Sequence, residues 1–193
     1  MRNAEFDRDK VLRSAIAAFM EKGYAKTSMQ DLTKATGIHP GSIYCAFSNK
    51  RGLLLAALEL YKHDSSAEFQ SFFAGKRPVL VELKAYLDNT VQECISGEAA
   101  KACLLTKALN EMAQQDDEVQ KTITDNLASW QQGLADVFAQ AQANGELSAK
   151  RDSQHLARFL AMGIYGLRTF AHSHPKAETL QELADQLYLD ICA

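Results

Sequence analysis

The sequence predicts an all-α protein: an N-terminal three-helix module followed by a larger helical body. Three observations carry that reading. Apolar residues recur at helical spacing along the chain, and no run alternates apolar and polar residues between turn dipeptides. Capping residues and glycines cut the first sixty residues into short segments. A loop-like stretch from Ser71 to Pro78 then separates short helices from long ones. The 193 residues, 47% of them hydrophobic and 23% charged, suffice for one small and one medium globular unit.

The first helix is expected from about Asp7 to Lys22, with Leu12, Ile16, Phe19 and Met20 on one face and Gly23 as its C-cap. Ser28 and Asp31 have the spacing of a capping box, opening a short helix whose Met29, Leu32 and Ala35 face inward. Gly37 ends it. Pro40 suits the first position of the next helix, since its missing N–H has no helical partner there. This third helix ends near Phe47. Ser48 or Asn49 caps a fourth, over about 50–62, carrying Leu53, Leu54, Ala57, Leu58 and Tyr61. The domain border is therefore placed between residues 1–62 and 63–193. The body reads as helices over about 78–96, 99–114, 117–143, 152–171 and 176–192, the third closed by Asn144-Gly145.

Several function classes recede. The longest apolar runs, such as Leu53 to Leu58, are too short to span a bilayer, and Met1 to Asp9 is too polar for a signal-peptide core. The chain is expected in the cytoplasm, with Cys45, Cys94, Cys103 and Cys192 as free thiols. There is no nucleophile elbow, phosphate loop or metal cluster, and His172 and His174 lack a third ligand, so neither enzyme, cofactor nor metal is expected. The net charge of −3 hides a split: residues 1–62 hold 10 Lys/Arg against 6 Asp/Glu (+4), and the rest hold 11 against 18 (−7). A basic head on an acidic body fits phosphate binding.

Two short helices joined near Gly37 match a helix-turn-helix, whose second helix lies in the major groove while the first braces against the backbone. That second helix opens with the small residues Gly41 and Ser42, which permit close approach. Tyr44 offers a hydroxyl to phosphate, and Lys50 a charge beside a helix N-terminus. His39 reads equally as a base or phosphate contact or as a plain N-cap.

The stretch from Thr27 to Leu54 resembles the DNA-binding region of the tetracycline-repressor (TetR) family, with matches at Gly23, Gly37, Gly41, Tyr44, Phe47, Lys50 and Leu53. The resemblance implies a homodimeric repressor on a near-palindromic double-stranded operator, with an effector pocket in each body. Carried over by position, Pro40, Gly41, Ser42, Tyr44 and Cys45 face DNA, Tyr44 and Lys50 meet phosphate, and Ser28 contacts the backbone. Gln30 and His39 join them as reading residues, because Cys45 and Ala46 stand where many relatives carry aromatic or His residues.

In the body, Tyr86, Cys103, Leu105, Leu109, Met112, Trp130, Phe138, Met162 and Tyr165 are candidate pocket residues, and their apolar character points to a small, largely apolar effector. Residues 156–170 are apolar nearly all round, and the last helix adds a second stripe. Leu160, Ile164, Leu167, Leu180, Leu183 and Leu187 are accordingly expected at a two-fold interface. Cys103, near a helix start and Lys101, reads either as a buried small hydrophobe or as a redox or electrophile sensor, the alternative switch.

Overall fold

A computed structural model describes residues 6–96, 108, 111, 116–174 and 176–192. Among them are eight helices and no strand: α1 (Arg8–Lys22), α2 (Met29–Thr36), α3 (Pro40–Phe47), α4 (Lys50–Phe72), α5 (Val79–Ile95), α6 (Asp117–Ala143), α7 (Ser153–Ala171) and α8 (Ala177–Cys192). Apart from the stretch around 99–114, which lies outside the described residues, the predicted helices appear within a residue or two, except at the end of α4. No helix among the described residues is long and apolar enough to cross a membrane.

The chain divides into two compact units, Met1–Ser65 with Lys101–Asn126 and Ser66–Ala100 with Leu127–Ala193. Of the stretch assigned from sequence to the body, the described residues 108, 111 and 116–126 thus cluster with the N-terminal helices. In the first unit the expected caps are in place. Ser28 and Asp31 satisfy each other's backbone N–H across the start of α2, and Asp7, not singled out from sequence, caps α1 by accepting from the Lys10 amide. Gly37 closes α2 in the left-handed region at φ 71°, and Asn49 accepts from the Gly52 amide at the start of α4. Phe19, Leu32, Ile43, Leu53, Leu54 and Leu58 are fully buried.

The second unit packs α5, α7 and α8 against one another. Its core includes Leu83, Leu87, Leu134, Phe138, Leu156, Leu160 and Ile164, beside a smaller cluster of Val91, Cys94, Leu167, Leu180 and Ala184. The expected end of α4 at 62 is corrected: the helix continues to Phe72. His63 and residues 66–68 are polar or small and exposed, while Phe69 and Phe72 pack against the second unit's core, so burial resumes after a wet turn.

The apolar stripes of α7 and α8 are also redistributed. Leu160, Ile164, Leu167 and Leu180 are buried within one chain: the first two share a core cluster with residues of α5 and α6, and the last two share one with residues of α5. One body does bury most of both stripes. Leu187 is half-buried, leaving Leu183, Leu189 and Met162 as exposed apolar side chains of these helices, at 43%, 59% and 61%.

Candidate nucleic-acid interface

The site is built from the turn between α2 and α3 outward. α2 is pinned at its start by the capping box, and its Asp31 also pairs with Lys22 of α1 at 2.5 Å. That lysine, with the two hydrogen bonds from Ser28, holds the Asp31 carboxyl well below the usual range. The turn before α2 is fixed by buried Thr27, whose hydroxyl donates to the Gly23 carbonyl at 2.5 Å. α2 thus stands at a fixed angle on α1.

α3 begins at Pro40, and His39 is its N-cap: ring Nδ1 accepts from the Gly41 amide at 3.2 Å. Of the two readings of His39, the capping role is present. Ile43 and Phe47 anchor the inner face of α3. The outer face carries exposed Gly41, Tyr44 and Cys45, with Tyr44 half exposed, and half-buried Pro40 and Ser42 beside them. Ser28, Gln30 and His39 are exposed too.

Lys50, at the first position of α4, lies over the Tyr24 ring, 4.3 Å from its centre, and reaches toward the Ala25 carbonyl. Partial burial pushes its pKa down. A clamp that sequence reasoning missed surrounds it. The Glu111 carboxylate accepts from the Ala25 amide at 2.7 Å, and Arg51 pairs with Asp116 and with Glu118. Arg51 holds the Asp116 carboxyl down to about 2. These acids are remote in sequence, so no local pattern announces them.

In the second unit the Trp130 indole donates to the Tyr86 hydroxyl at 3.0 Å, and Trp130 and Tyr165 lie 5.6 Å apart. These three predicted pocket residues come together. Phe138 is fully buried in the core, and Met162 is exposed on α7 rather than turned inward with them. Cys103, Leu105, Leu109 and Met112 lie outside the described residues. Sequence reasoning missed Phe69, Phe72 and Phe73, which surround the Tyr86 ring, because it ended α4 early; their i, i+3, i+4 spacing was the available signal.

An exposed, small-residue second helix braced by a capped first one is the architecture of a helix-turn-helix nucleic-acid reader. Comparison with known proteins agrees. The family profile "Bacterial regulatory proteins, tetR family" matches residues 11–57, and "Tetracyclin repressor-like, C-terminal domain" matches residues 80–187. The chain belongs to the TetR family of transcriptional regulators. It is 29% identical over 180 residues to the HTH-type transcriptional repressor ComR of Escherichia coli, covering 93% of this chain and 86% of that one. It is 28% identical to the transcriptional regulator AcuR of Cereibacter sphaeroides, covering 85% and 75%. Among solved structures, a cysteine mutant of the TetR-family regulator CifR, complexed with 26-bp double-strand operator DNA, superposes with a TM-score of 0.84 at 27% identity, covering 97% and 98% of the two chains.

Proposed function

We propose that this regulator is a homodimeric repressor that binds a near-palindromic operator and leaves it when a small, largely apolar effector binds the body. The observation that carries the DNA half is the presentation of α3: anchored by Ile43 and Phe47, capped by His39, and exposed at Gly41, Tyr44 and Cys45. Pro40, Gly41, Ser42 and Cys45 line the groove side, with Gln30 and His39 reaching base edges. Ser28, Tyr44 and Lys50 serve the phosphates. The likeness to a repressor and to an operator-bound regulator supports this reading. A second copy is the partner, and exposed Met162, Leu183 and Leu189, with half-buried Leu187, are apolar residues of α7 and α8 open to it.

Release requires the effector to prefer the DNA-incompatible state, since a ligand with equal affinity for both states shifts nothing. The covalent alternative through Cys103 gains no support. Cys103 lies outside the described residues, and burial raises the Cys94 thiol pKa, which disfavours a reactive thiolate. The test is an anisotropy titration on the DNA flanking the chain's own gene over a series of salt concentrations. Tight, salt-sensitive binding there and not on scrambled DNA is expected; equal affinity for both would refute sequence-specific repression at that site.

A further inference from the structure

The second unit holds a buried hydroxyl whose proton is unspent. Tyr86 is 9% exposed, and its oxygen accepts from the Trp130 indole, but its O–H finds no acceptor among the described residues. Buried tyrosine hydroxyls normally find one. Burial also pushes the Tyr86 pKa up to about 12, so the proton stays available for donation. Around it stand Phe69, Phe72, Phe73, Trp130 and Tyr165, all only partly buried although they pack against the core. Large aromatic side chains clustered around an unspent polar group while keeping accessible surface are the chemistry of a small-molecule site.

The surroundings limit what can bind. Arg168, Glu93 and Glu68 act on the Tyr86 hydroxyl, and Arg168 is already paired with Glu93 at 3.0 Å. The aromatic surround desolvates whatever enters it, which penalises a carboxylate and tolerates a neutral acceptor.

We propose that Tyr86 is a specificity-determining residue of the effector site, donating its hydroxyl proton to a neutral carbonyl-type oxygen on a compact apolar ligand held among these rings. The inference rests on the ligand-responsive reading above and names the ligand's chemistry.

Trp130 is the single tryptophan of the chain, so intrinsic emission reports on this place alone. Three probes of similar shape separate the possibilities: cyclohexanone, methylenecyclohexane, and cyclohexanecarboxylate at neutral pH. Cyclohexanone should perturb Trp130 emission with an affinity about tenfold above that of methylenecyclohexane, the worth of one hydrogen bond. The carboxylate should bind more weakly than the ketone. In Tyr86→Phe the preference for ketone over alkene should fall to about onefold, the donor being gone. In Tyr188→Phe, which removes a phenol bonded elsewhere to the Leu80 carbonyl, the preference should persist. The ranking of the probes on the unaltered protein is a test in itself, whatever the variants do to folding. The proposal is overturned by a carboxylate that binds tightest, by a ketone that leaves Trp130 unmoved, or by a preference unchanged in Tyr86→Phe. A parallel operator-release assay separates the two layers. Ketone binding at Trp130 without release refutes the effector-release reading and leaves the site standing. Equal release by the ketone from the unaltered protein and from Tyr86→Phe refutes the site and leaves the release reading standing.

Discussion

Replacing Gly37 by alanine isolates the backbone cost of the turn on which α3 depends. Gly37 sits at φ 71° and ψ 9°, donates its N–H to the Thr33 carbonyl, and an added Cβ would meet nothing within 4 Å. Sterics with neighbours therefore contribute nothing. The left-handed conformation costs an L-residue roughly 1–2 kcal/mol. The stiffer unfolded chain of alanine offsets about 0.4–1 kcal/mol of that. The net is a destabilisation of about 1 kcal/mol, or roughly 2–4 °C in Tm for a chain of this size. Asparagine tolerates this region, so Gly37→Asn should lose less than half as much. Urea denaturation checks both, with the midpoint moving at constant slope. If alanine is neutral, or asparagine as harmful as alanine, the turn is not held left-handed and the reasoning fails. Gly23 supplies the contrast. At φ 83° and ψ 160° it occupies a region essentially closed to side chains, at a cost of about 1–3 kcal/mol. A Cβ there also collides with the Glu111 carboxylate that caps the Ala25 amide. Gly23→Ala should thus be the more damaging, and asparagine should not rescue it.

Ser28→Ala removes the hydroxyl that accepts from the Asp31 amide; it should cost about 1 kcal/mol of stability by thermal melt and weaken operator binding in the same preparation. Thr27→Val keeps the shape of a fully buried residue but deletes its bond to the Gly23 carbonyl, for a loss of about 1 kcal/mol that Thr27→Ser should largely avoid in urea titrations. Asp116 titrates about 2 when folded against an ordinary 3.8, so it contributes stability above pH 4 that disappears as the pH falls toward 2. Asp116→Asn should therefore show a shallower decline over that interval in acid-denaturation curves, and an unchanged decline would argue against the Arg51 pairing. Lys50→Met should reduce the magnitude of the salt slope for operator binding by about 0.9, the value for one phosphate contact on duplex DNA. An unchanged slope would mean that Lys50 serves Tyr24 and Ala25 only.

The N-terminal helices were legible residue by residue because their determinants are local. Ser28 and Asp31 cap within one turn, Gly37 stops α2 through its own φ, and Pro40 starts α3 without needing a partner. The exposed DNA-side residues follow from those boundaries. What was not legible depends on which surface meets which. A stripe such as Leu160, Ile164 and Leu167 announces burial but not its cover, and here other helices of the same chain supply much of what the sequence reading expects from a second copy. α4 was ended early because His63 to Ser66 looks like a solvated terminus, whereas Phe69 and Phe72 gain their reason to be helical from core residues far along the chain. The clamp of Arg51 on Asp116 and Glu118 spans more than sixty positions and leaves no periodic trace.

The cap on α3 also selects a tautomer. Because His39 Nδ1 accepts the Gly41 amide proton, the neutral ring carries its own hydrogen on Nε2. The outward edge of that exposed ring is then a pure donor. It can approach the N7 of a purine, the O6 of guanine or the O4 of thymine, and it has nothing to offer the amino group of cytosine. A bond made to start a helix thereby settles in advance that this ring can meet acceptor atoms of the bases and not their amino groups.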